Sequence, residues 1–357
     1  MQSLIINLFF LVVTLHQILY WVWLWQIKEY RIDRFKAGFS WKYLIQQFDL
    51  HTWWRPKPTA RGILSLIMAL IFNFEILLTP FTVALAVGFV SPIFIIWKKI
   101  LIQRAKEKMK DFKGTVIGIT GSYGKSSTKE MLTQVLGSNS QVLATHGNNN
   151  SEIGVAQTVL SKLKGDEDFF IVEMGAYKVG EIKSICEIVK PKIGIITAIG
   201  DQHLELFGSL ENIRHAKYEL IESLPKNGKQ FIAVDDFKLE NARDIKVFKS
   251  GVKFRYDGQK FSIKLLGKEL IRNAVGVIMV ARYLGLSLSQ IATYLRKMDY
   301  LSPKLLAGNI IDNSYNSSLE SFLSALDYLK VWKGYKKIVI TPGFIELGKN
   351  AKADWEK

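Results

Sequence analysis

The sequence of 357 residues has little cysteine, little proline and few acidic residues. Its single cysteine excludes a disulfide scaffold and any zinc module that needs several thiolates. The chain has 32 acidic residues and 48 lysines and arginines, so its formal net charge is +16. Hydrophobic residues make up 48% of the chain and charged residues 22%, which excludes a wholly disordered protein. A chain of this length is long enough for two or three packed domains.

Asp, Glu, Lys and Arg are absent from residues 3–26, a run that is dense in large apolar side chains. These 24 residues are enough for a helix to cross about 30 Å of hydrocarbon. A second apolar block is interrupted by Pro80, which predicts a helical hairpin. Seven of the nine tryptophans lie in the first hundred residues, a placement typical of membrane interfaces. We therefore expect a membrane region over residues 1–99, with spans at about 3–26, 62–78 and 81–97.

The loop between the first two spans carries eight basic and three acidic residues, a net charge of +5. Because basic loops stay in the cytoplasm, three spans would place this loop and everything after residue 98 on the cytoplasmic side. Two spans would instead separate the loop from the body of the protein. We expect a multi-pass protein of the cell (inner) membrane that contacts lipids, with a basic linker at residues 100–113. Since no nucleic-acid-binding module is recognised, no nucleic-acid partner is expected.

From residue 114 onward, short apolar strands alternate with helical segments, which predicts an α/β fold. A strand at residues 115–120 runs into a glycine-rich turn, and a helical stretch follows from Lys129. Glycines let backbone N–H groups approach phosphate, while the lysine adds charge and a serine hydroxyl can bind Mg²⁺. Because Ile119 replaces the first glycine, the segment is not a standard Walker A motif. The candidate nucleotide-binding residues of this loop are Gly121, Ser122, Tyr123, Gly124, Lys125, Ser126 and Ser127.

Two further apolar strands, at residues 169–175 and 193–199, end beside groups that can bind a metal. Glu173 closes the first strand, and His203 follows the second. Open α/β sheets bind their ligands beyond the carboxyl ends of the strands. Together with the phosphate loop, these residues predict a magnesium site of oxygen ligands and one imidazole.

These segments resemble the Mur ligase family, the ATP-dependent amide-forming ligases of peptidoglycan precursor synthesis, over about residues 113–348. The matching segments are 120–127, 147–154, 172–176, 180–182, 203–209, 216–219, 267–273 and 311–321. The resemblance is greatest to the branch that adds D-alanyl-D-alanine to a UDP-N-acetylmuramoyl peptide. It implies a central ATP-binding domain over residues 114–300 and a partial, Rossmann-like third domain over residues 301–357. In that third domain we expect a strand at Ile310, a helix at residues 319–329 and a strand at residues 337–341.

The resemblance also implies roles for single residues. The residues implied in catalysis are Lys125, His203 and Lys217. The residues implied to hold two magnesium ions are Ser126, Glu173, His203 and Lys217, with Lys217 carbamylated so that a cation becomes an oxygen ligand. The further residues implied to contact ATP are Asn273 and Asp312. The residues implied to contact the substrate are Asn148, Asn150, Tyr315 and Asn316.

The implied reaction activates a carboxylate by transfer of the γ-phosphate of ATP, after which an amine displaces phosphate from the acyl phosphate. The leading hypothesis is a membrane-tethered ligase that acts on a nucleotide-sugar peptide. The membrane region stands where the family has its uridine-nucleotide-binding domain, and the third domain is expected to be short. These departures leave two alternatives open. One is a ligase for polyglutamate or a lipid-linked precursor, and the other is an ATP-binding pseudoenzyme that scaffolds other cell-wall enzymes.

Overall fold

The computed structural model describes residues 2–37, 42–49, 52, 54–72, 79–147, 149–200, 203–233, 241–265, 270–299, 304–306, 310–312 and 319–341. The chain divides into two compact units, Met1–Ile100 and Leu101–Lys357. Each unit has its own apolar core.

The first unit is helical. Its helices are α1 (Gln2–Ile27), α2 (Ile32–Ala37), α3 (Lys42–Gln46), α4 (Ala60–Phe72) and the first part of α5 (Thr79–Lys110). Two of them, α1 over Leu8–Ile27 and α5, are long and apolar enough to cross a membrane by length and composition. The apolar helix α4 is shorter. The membrane placement of these helices stays a prediction.

The structure adds detail to the expectations for this region. The segment expected as a linker, residues 100–113, is helical as far as Lys110, because its Lys, Arg, Glu, Ala and Gln residues all favour helix. Pro80 lies in the first turn of α5, where its missing N–H costs no helical hydrogen bond. The helix of the expected second span ends at Phe72, and residues 73–78 lie outside the described part of the chain.

The middle of α1 carries buried polar side chains that bond to the segment after α3. The two ring nitrogens of His16 lie 3.2 Å from the Gln47 carbonyl oxygen and 2.9 Å from that of Thr52. The indole of Trp21 donates to Oε1 of Gln47 at 2.9 Å. These bonds fasten Gln47 and Thr52 to α1, while large apolar side chains of the same helix, such as Phe9, are exposed nearer its start.

A five-stranded parallel sheet organises the second unit, in the order β2-β3-β1-β4-β5. Its strands are β1 (Thr115–Thr120), β2 (Val142–Ala144), β3 (Phe169–Glu173), β4 (Ile193–Ile196) and β5 (Lys229–Ile232). The helices between them are α6 (Lys125–Gly137), α7 (Glu152–Lys162), α8 (Glu181–Val189), α9 (Leu204–Phe207) and α10 (Leu210–Glu222). The central strands are almost continuously apolar because helices cover both faces of the sheet. The predicted α/β fold is confirmed, and β1 lies at the centre of the sheet.

An antiparallel sheet follows, with two helices that pack in the same core as α6. Its elements are β6 (Ala242–Phe248), β7 (Gly251–Tyr256), β8 (Gln259–Ile263), α11 (Leu270–Tyr283) and α12 (Leu288–Arg296). Ser287 caps α12 and forms a capping box with Gln290. The adjacency of α11 to α6 brings Asn273 to the phosphate loop.

The remaining described elements are β9 (Lys304–Leu306), β10 (Ile310–Asp312) and α13 (Leu319–Leu329). The helix agrees with the predicted bounds, and β10 contains Ile310 but pairs antiparallel with β9. The strand predicted at residues 337–341 is wrong, since these residues pair with no strand in the described part of the chain and Ile340 is exposed. A Rossmann-like third domain stays a prediction.

Candidate active site

The glycine-rich turn after β1 packs closely against the loop that follows β4. Gly121 has φ +149° and Gly124 has φ +81°, conformations that favour glycine. A Cβ on Gly121 would lie 2.2 Å from Oγ1 of Thr197. A Cβ on Gly124 would lie 2.5 Å from the amide of Asn273, which is therefore packed directly on the turn. Helix α6 begins at Lys125, four residues earlier than predicted, so its N-terminus opens into the turn.

Lys125 places its ammonium inside this turn. Its Nζ donates to the carbonyl oxygens of Gly121 at 2.7 Å and Ser122 at 3.1 Å. Burial lowers the pKa of Lys125, and the nearby carboxylate of Glu173 opposes that shift. An anionic phosphate at the start of α6 would find a desolvated cation and the positive end of the helix dipole together.

The hydroxyl of Ser122 is used to hold the turn. It donates to the Gly200 carbonyl and accepts from the Gly200 N–H, each at 3.0 Å. The Ser122 N–H donates to the Ala198 carbonyl at 2.8 Å. The ring of Tyr123 lies close above Gly200, within 2.6 Å of where a Cβ would be. Ser126, in the first turn of α6, is half-buried and carries the hydroxyl nearest in sequence to the lysine.

Glu173 ends β3 directly beside β1 and is buried. Its Oε1 accepts from Nδ2 of Asn150 at 3.1 Å, and its Oε2 lies 3.1 Å from Nζ of Lys129. The contact with Lys129 is an ion pair without hydrogen-bond alignment, so Oε2 has no hydrogen-bond donor in the described part of the chain. A buried carboxylate oxygen with open lone pairs suits a hard divalent cation.

Lys217 lies on α10 and is 3% exposed. Burial and the charge on Lys125 together lower its pKa to about 7, against the opposing effect of Glu181 and Glu219. Its ammonium lies 5.6 Å from the centre of the Phe207 ring. Lys217 is therefore a lysine that spends much of its time as a neutral amine at physiological pH.

His203 begins α9 with φ +62°, and its ring centre lies 4.6 Å from that of Tyr177. The residues described in this region contain no group of three His, Cys, Asp or Glu side chains that could hold a metal. Mg²⁺ is commonly held by one or two carboxylates together with substrate phosphates and water, so the single carboxylate of Glu173 fits such an ion.

The structure brings together Lys125, Glu173, Asn150, Lys217 and Asn273 at one edge of the parallel sheet. Asp312 lies in β10 opposite Lys304 and is half-buried. Three predicted substrate residues lie outside the described residues, namely Asn148, Tyr315 and Asn316.

Sequence reasoning missed two buried charged residues. Lys129 follows Lys125 by one helical turn. This i, i+4 spacing would have placed the two lysines on one face of the helix if the predicted helix had begun at Lys125. Glu219 accepts from the N–H of Lys183 at 2.9 Å and from the N–H of Gly180, and it thereby caps α8. No sequence signal beyond its position two residues after Lys217 pointed to Glu219.

Comparison with known proteins assigns the domain that contains this site to a family. Residues 119–244 match the family model described as the Mur ligase middle domain. The chain therefore contains a Mur ligase middle domain. The predicted family resemblance is confirmed, and the phosphate loop, Glu173, His203 and Lys217 all lie within that Mur ligase domain.

Among curated relatives, the UDP-N-acetylmuramoyl-tripeptide–D-alanyl-D-alanine ligase of Bacillus subtilis is 31% identical over 275 residues, which are 70% of this chain and 60% of that protein. The protein of the same name from Synechocystis is 33% identical over 258 residues, 65% of this chain and 56% of that one. The chain thus spans somewhat over half the length of the curated relatives that it matches.

Two solved structures are similar to this chain. MurF from Acinetobacter baumannii superposes with a TM-score of 0.65 at 26% identity, covering 72% of this chain and 63% of that one. MurF from Thermotoga maritima in complex with ADP gives a TM-score of 0.62 at 27% identity, covering 72% and 66%. The fold of the second unit is therefore that of a Mur ligase.

Proposed function

We propose that this protein is an ATP-dependent ligase that forms an amide bond between a peptide carboxylate and an amine. Its proposed substrates are those named for its relatives, a UDP-N-acetylmuramoyl tripeptide and D-alanyl-D-alanine. The observation that carries the proposal is the half-buried lysine Lys125 inside a glycine turn, with the ionisable side chains of Glu173 and Lys217 near it. A desolvated cation at a helix N-terminus suits anions that gain charge during the reaction.

In the proposed reaction, an oxygen of the acceptor carboxylate attacks the γ-phosphorus of ATP, and the bond to the β-phosphate oxygen breaks to release ADP. The amine then attacks the carbonyl carbon of the acyl phosphate, inorganic phosphate leaves with the electron pair, and the amine loses a proton. Lys125 and the N-terminus of α6 bind and orient the phosphates. Asn273 packs against the turn at Gly124 and supports it. Asn150 donates a hydrogen bond to Glu173, which orients its side chain on the substrate side of the site.

Magnesium fits this site through Oε2 of Glu173 and the hydroxyl of Ser126. When bound, Mg²⁺ supplies positive charge to the phosphate oxygens. We propose a second ion held by His203 and by a carbamate on Lys217. Glu173, Ser126, His203 and Lys217 would then share two ions with the nucleotide.

The lowered pKa of Lys217 supports its carbamylation. Only the neutral amine attacks CO₂, and the new N–C bond costs the nitrogen one proton, which passes to solvent. The product is a carbamate anion. The ammonium of Lys125, whose charge lowers the pKa of Lys217, stabilises that anion.

We also propose that α1, the shorter apolar helix α4 and α5 anchor the protein in the cell membrane, with the basic loop and the Mur ligase domain in the cytoplasm, in contact with lipids and other cell-wall enzymes. The apolar length of α1 and α5 supports an anchor. A membrane anchor on the same chain favours a second candidate function, ligation on a lipid-linked cell-wall precursor.

The test uses the full chain in detergent with ATP, MgCl₂ and bicarbonate. Phosphate release that requires both UDP-N-acetylmuramoyl-tripeptide and D-alanyl-D-alanine supports the proposal, and release only with lipid-linked acceptors supports the second candidate. Lys125→Ala should lower turnover by at least a hundredfold, whereas Lys178→Ala, at an exposed lysine, should not change it. ADP binding without turnover on any acceptor would overturn both and leave an ATP-binding scaffold.

A further inference from the structure

Lys129 is a buried lysine to which the proposed reaction assigns no role. It is 4% exposed, and its ammonium contacts groups from two other segments of the chain. Nζ lies 3.1 Å from Oε2 of Glu173 and donates to the carbonyl oxygen of Gly147 at 3.0 Å. An ammonium is costly to bury, and this one is compensated by one carboxylate and one carbonyl.

The two oxygens of Glu173 connect it to Asn150 directly and to Gly147 through Lys129. Oε1 accepts from the side chain of Asn150, while Oε2 meets Lys129, which in turn holds Gly147. The backbone carbonyl of Asn150 also accepts from the N–H of Gly175 at 2.8 Å, just past the end of β3. Gly175 and Asn150 are packed tightly together, because a Cβ on Gly175 would lie 2.8 Å from the Asn150 side chain.

The oxygen that Lys129 contacts is also the one available to a metal. Oε2 of Glu173 has no aligned hydrogen-bond donor, so a divalent cation that reaches it would stand close to the ammonium. Two cations at one oxygen repel each other strongly in a buried site. The flexible stem of lysine lets its ammonium move while it keeps the Gly147 carbonyl within reach.

We propose that Lys129 is a positioning residue that couples metal binding at Glu173 to the positions of Gly147 and Asn150. This inference rests on the proposed function. Without metal, Lys129 neutralises Glu173 and holds the Gly147 carbonyl. With metal, the ammonium leaves Oε2 and keeps its contact with Gly147, where it offers a positive charge to an anionic acceptor. Metal and acceptor therefore strengthen each other's binding.

The metal half of the proposal is tested without any acceptor or turnover. Mn²⁺, a paramagnetic substitute for Mg²⁺, is titrated into the full chain in detergent, and free Mn²⁺ is counted by electron paramagnetic resonance. Lys129→Met removes the competing charge and keeps most of the side-chain length, so it should bind Mn²⁺ about tenfold more tightly than the parent. Lys129→Arg should resemble the parent. Lys162→Met, at an exposed lysine of α7, is the matched control.

The coupling is tested by calorimetry with UDP-N-acetylmuramoyl-tripeptide, with and without Mn²⁺. In the parent and in Lys129→Arg, Mn²⁺ should tighten acceptor binding about tenfold, and in Lys129→Met this factor should fall to about one. Weaker or unchanged Mn²⁺ binding by a folded Lys129→Met would overturn the proposal, as would Lys129→Arg behaving like Lys129→Met. If the parent binds no acceptor, the proposed substrate is wrong, while the Mn²⁺ titration still decides the role of Lys129.

Discussion

The two units of this protein bury polar groups in different ways. Around the middle of α1, the side chains of His16, Trp21 and Gln47 find partners in one another and in backbone carbonyls. At the edge of the parallel sheet the buried groups are ionisable: Lys129 pairs with Glu173, and Lys217 lies near the charge of Lys125. The first arrangement fixes one segment on another, whereas the second gathers ionisable side chains where an anionic ligand can bind.

This difference has an energetic consequence. A polar group that is hydrogen-bonded costs the fold little, but a buried ammonium with no carboxylate of its own costs several kcal/mol or gives up its proton. Lys217 shows this cost in its lowered pKa. The site is thus expected to be held at the expense of stability, whereas the hydrogen-bonded contacts of His16, Trp21 and Gln47 are not.

The largest expected effect comes from Lys217→Met. At pH 6 both the folded and the unfolded parent carry a proton on Lys217, so the full cost of burying the charge is present. The variant should therefore be more stable, by on the order of 3 to 5 kcal/mol. Between pH 7 and 10.5 only the unfolded parent stays protonated, so parent stability rises by about 1.4 kcal/mol per pH unit and the gap narrows. Urea unfolding in CO₂-free buffer at pH 6 and 9 measures both values.

Lys226→Met, at an exposed lysine, is the control and should change stability by less than about 0.5 kcal/mol at either pH. If Lys217→Met were less stable than the parent at pH 6, the view that this lysine is kept for chemistry at a cost in stability would fail.

Gly124→Ala should have the next largest effect, because it strains the turn that holds Lys125. Its φ of +81° and the amide of Asn273 at 2.5 Å leave no room for a methyl group. We expect a loss of about 2 kcal/mol in stability and at least a tenfold loss in ADP affinity, measured by calorimetry. Gly137→Ala, at the end of the same helix with its nearest neighbour 4.0 Å away, should leave ADP affinity unchanged. Equal ADP affinity in both variants would contradict this role for the turn.

Three strands of the parallel sheet, β1, β3 and β4, were predictable from sequence because each is a short apolar run bounded by turns. The strands β2 and β5, which complete the sheet, were not predicted. Strand β1 has the predicted bounds, and β3 and β4 begin where expected. Helix α6 was started too late because Lys125, Ser126 and Ser127 look like loop residues, although the glycine turn leads straight into the helix. The strand predicted at residues 337–341 failed because an apolar run forms a strand only when another strand pairs with it.

For the site, sequence predicted the chemical groups but not their partners. The glycine turn and Glu173 carry patterns that can be read along the chain. The contact of Lys129 with Gly147 and Glu173 joins three segments that are distant in sequence, and the cap that Glu219 gives to α8 joins two more. Such contacts depend on strand order and helix packing, which no local pattern contains.

Glu219→Gln tests whether Glu219, a buried charge near the site, contributes to ligand binding or only to the stability of the fold. The carboxylate accepts from the N–H groups of Gly180 and Lys183, and an amide retains only one acceptor oxygen. We expect a loss of about 1 to 3 kcal/mol in stability, measured by urea unfolding, with unchanged ADP affinity below the unfolding transition. Glu211→Gln, at an exposed site on the same helix, should cost less than about 0.5 kcal/mol. A loss of ADP affinity in Glu219→Gln would instead make Glu219 part of the binding site.

His16→Leu should have the smallest effect. It tests the hydrogen-bonded polar groups of the helical unit, which the ionisable groups of the second unit are compared with. The change leaves the carbonyls of Gln47 and Thr52 without their imidazole partner. Because both carbonyls belong to a connecting segment that can turn towards water, the cost should be local, about 1 kcal/mol. Hydrogen exchange should quicken about fivefold in residues 42–49 and stay unchanged in the strands of the second unit. Faster exchange at the phosphate loop as well would show that the two units are energetically coupled, and the contrast between them would no longer describe independent parts of the molecule.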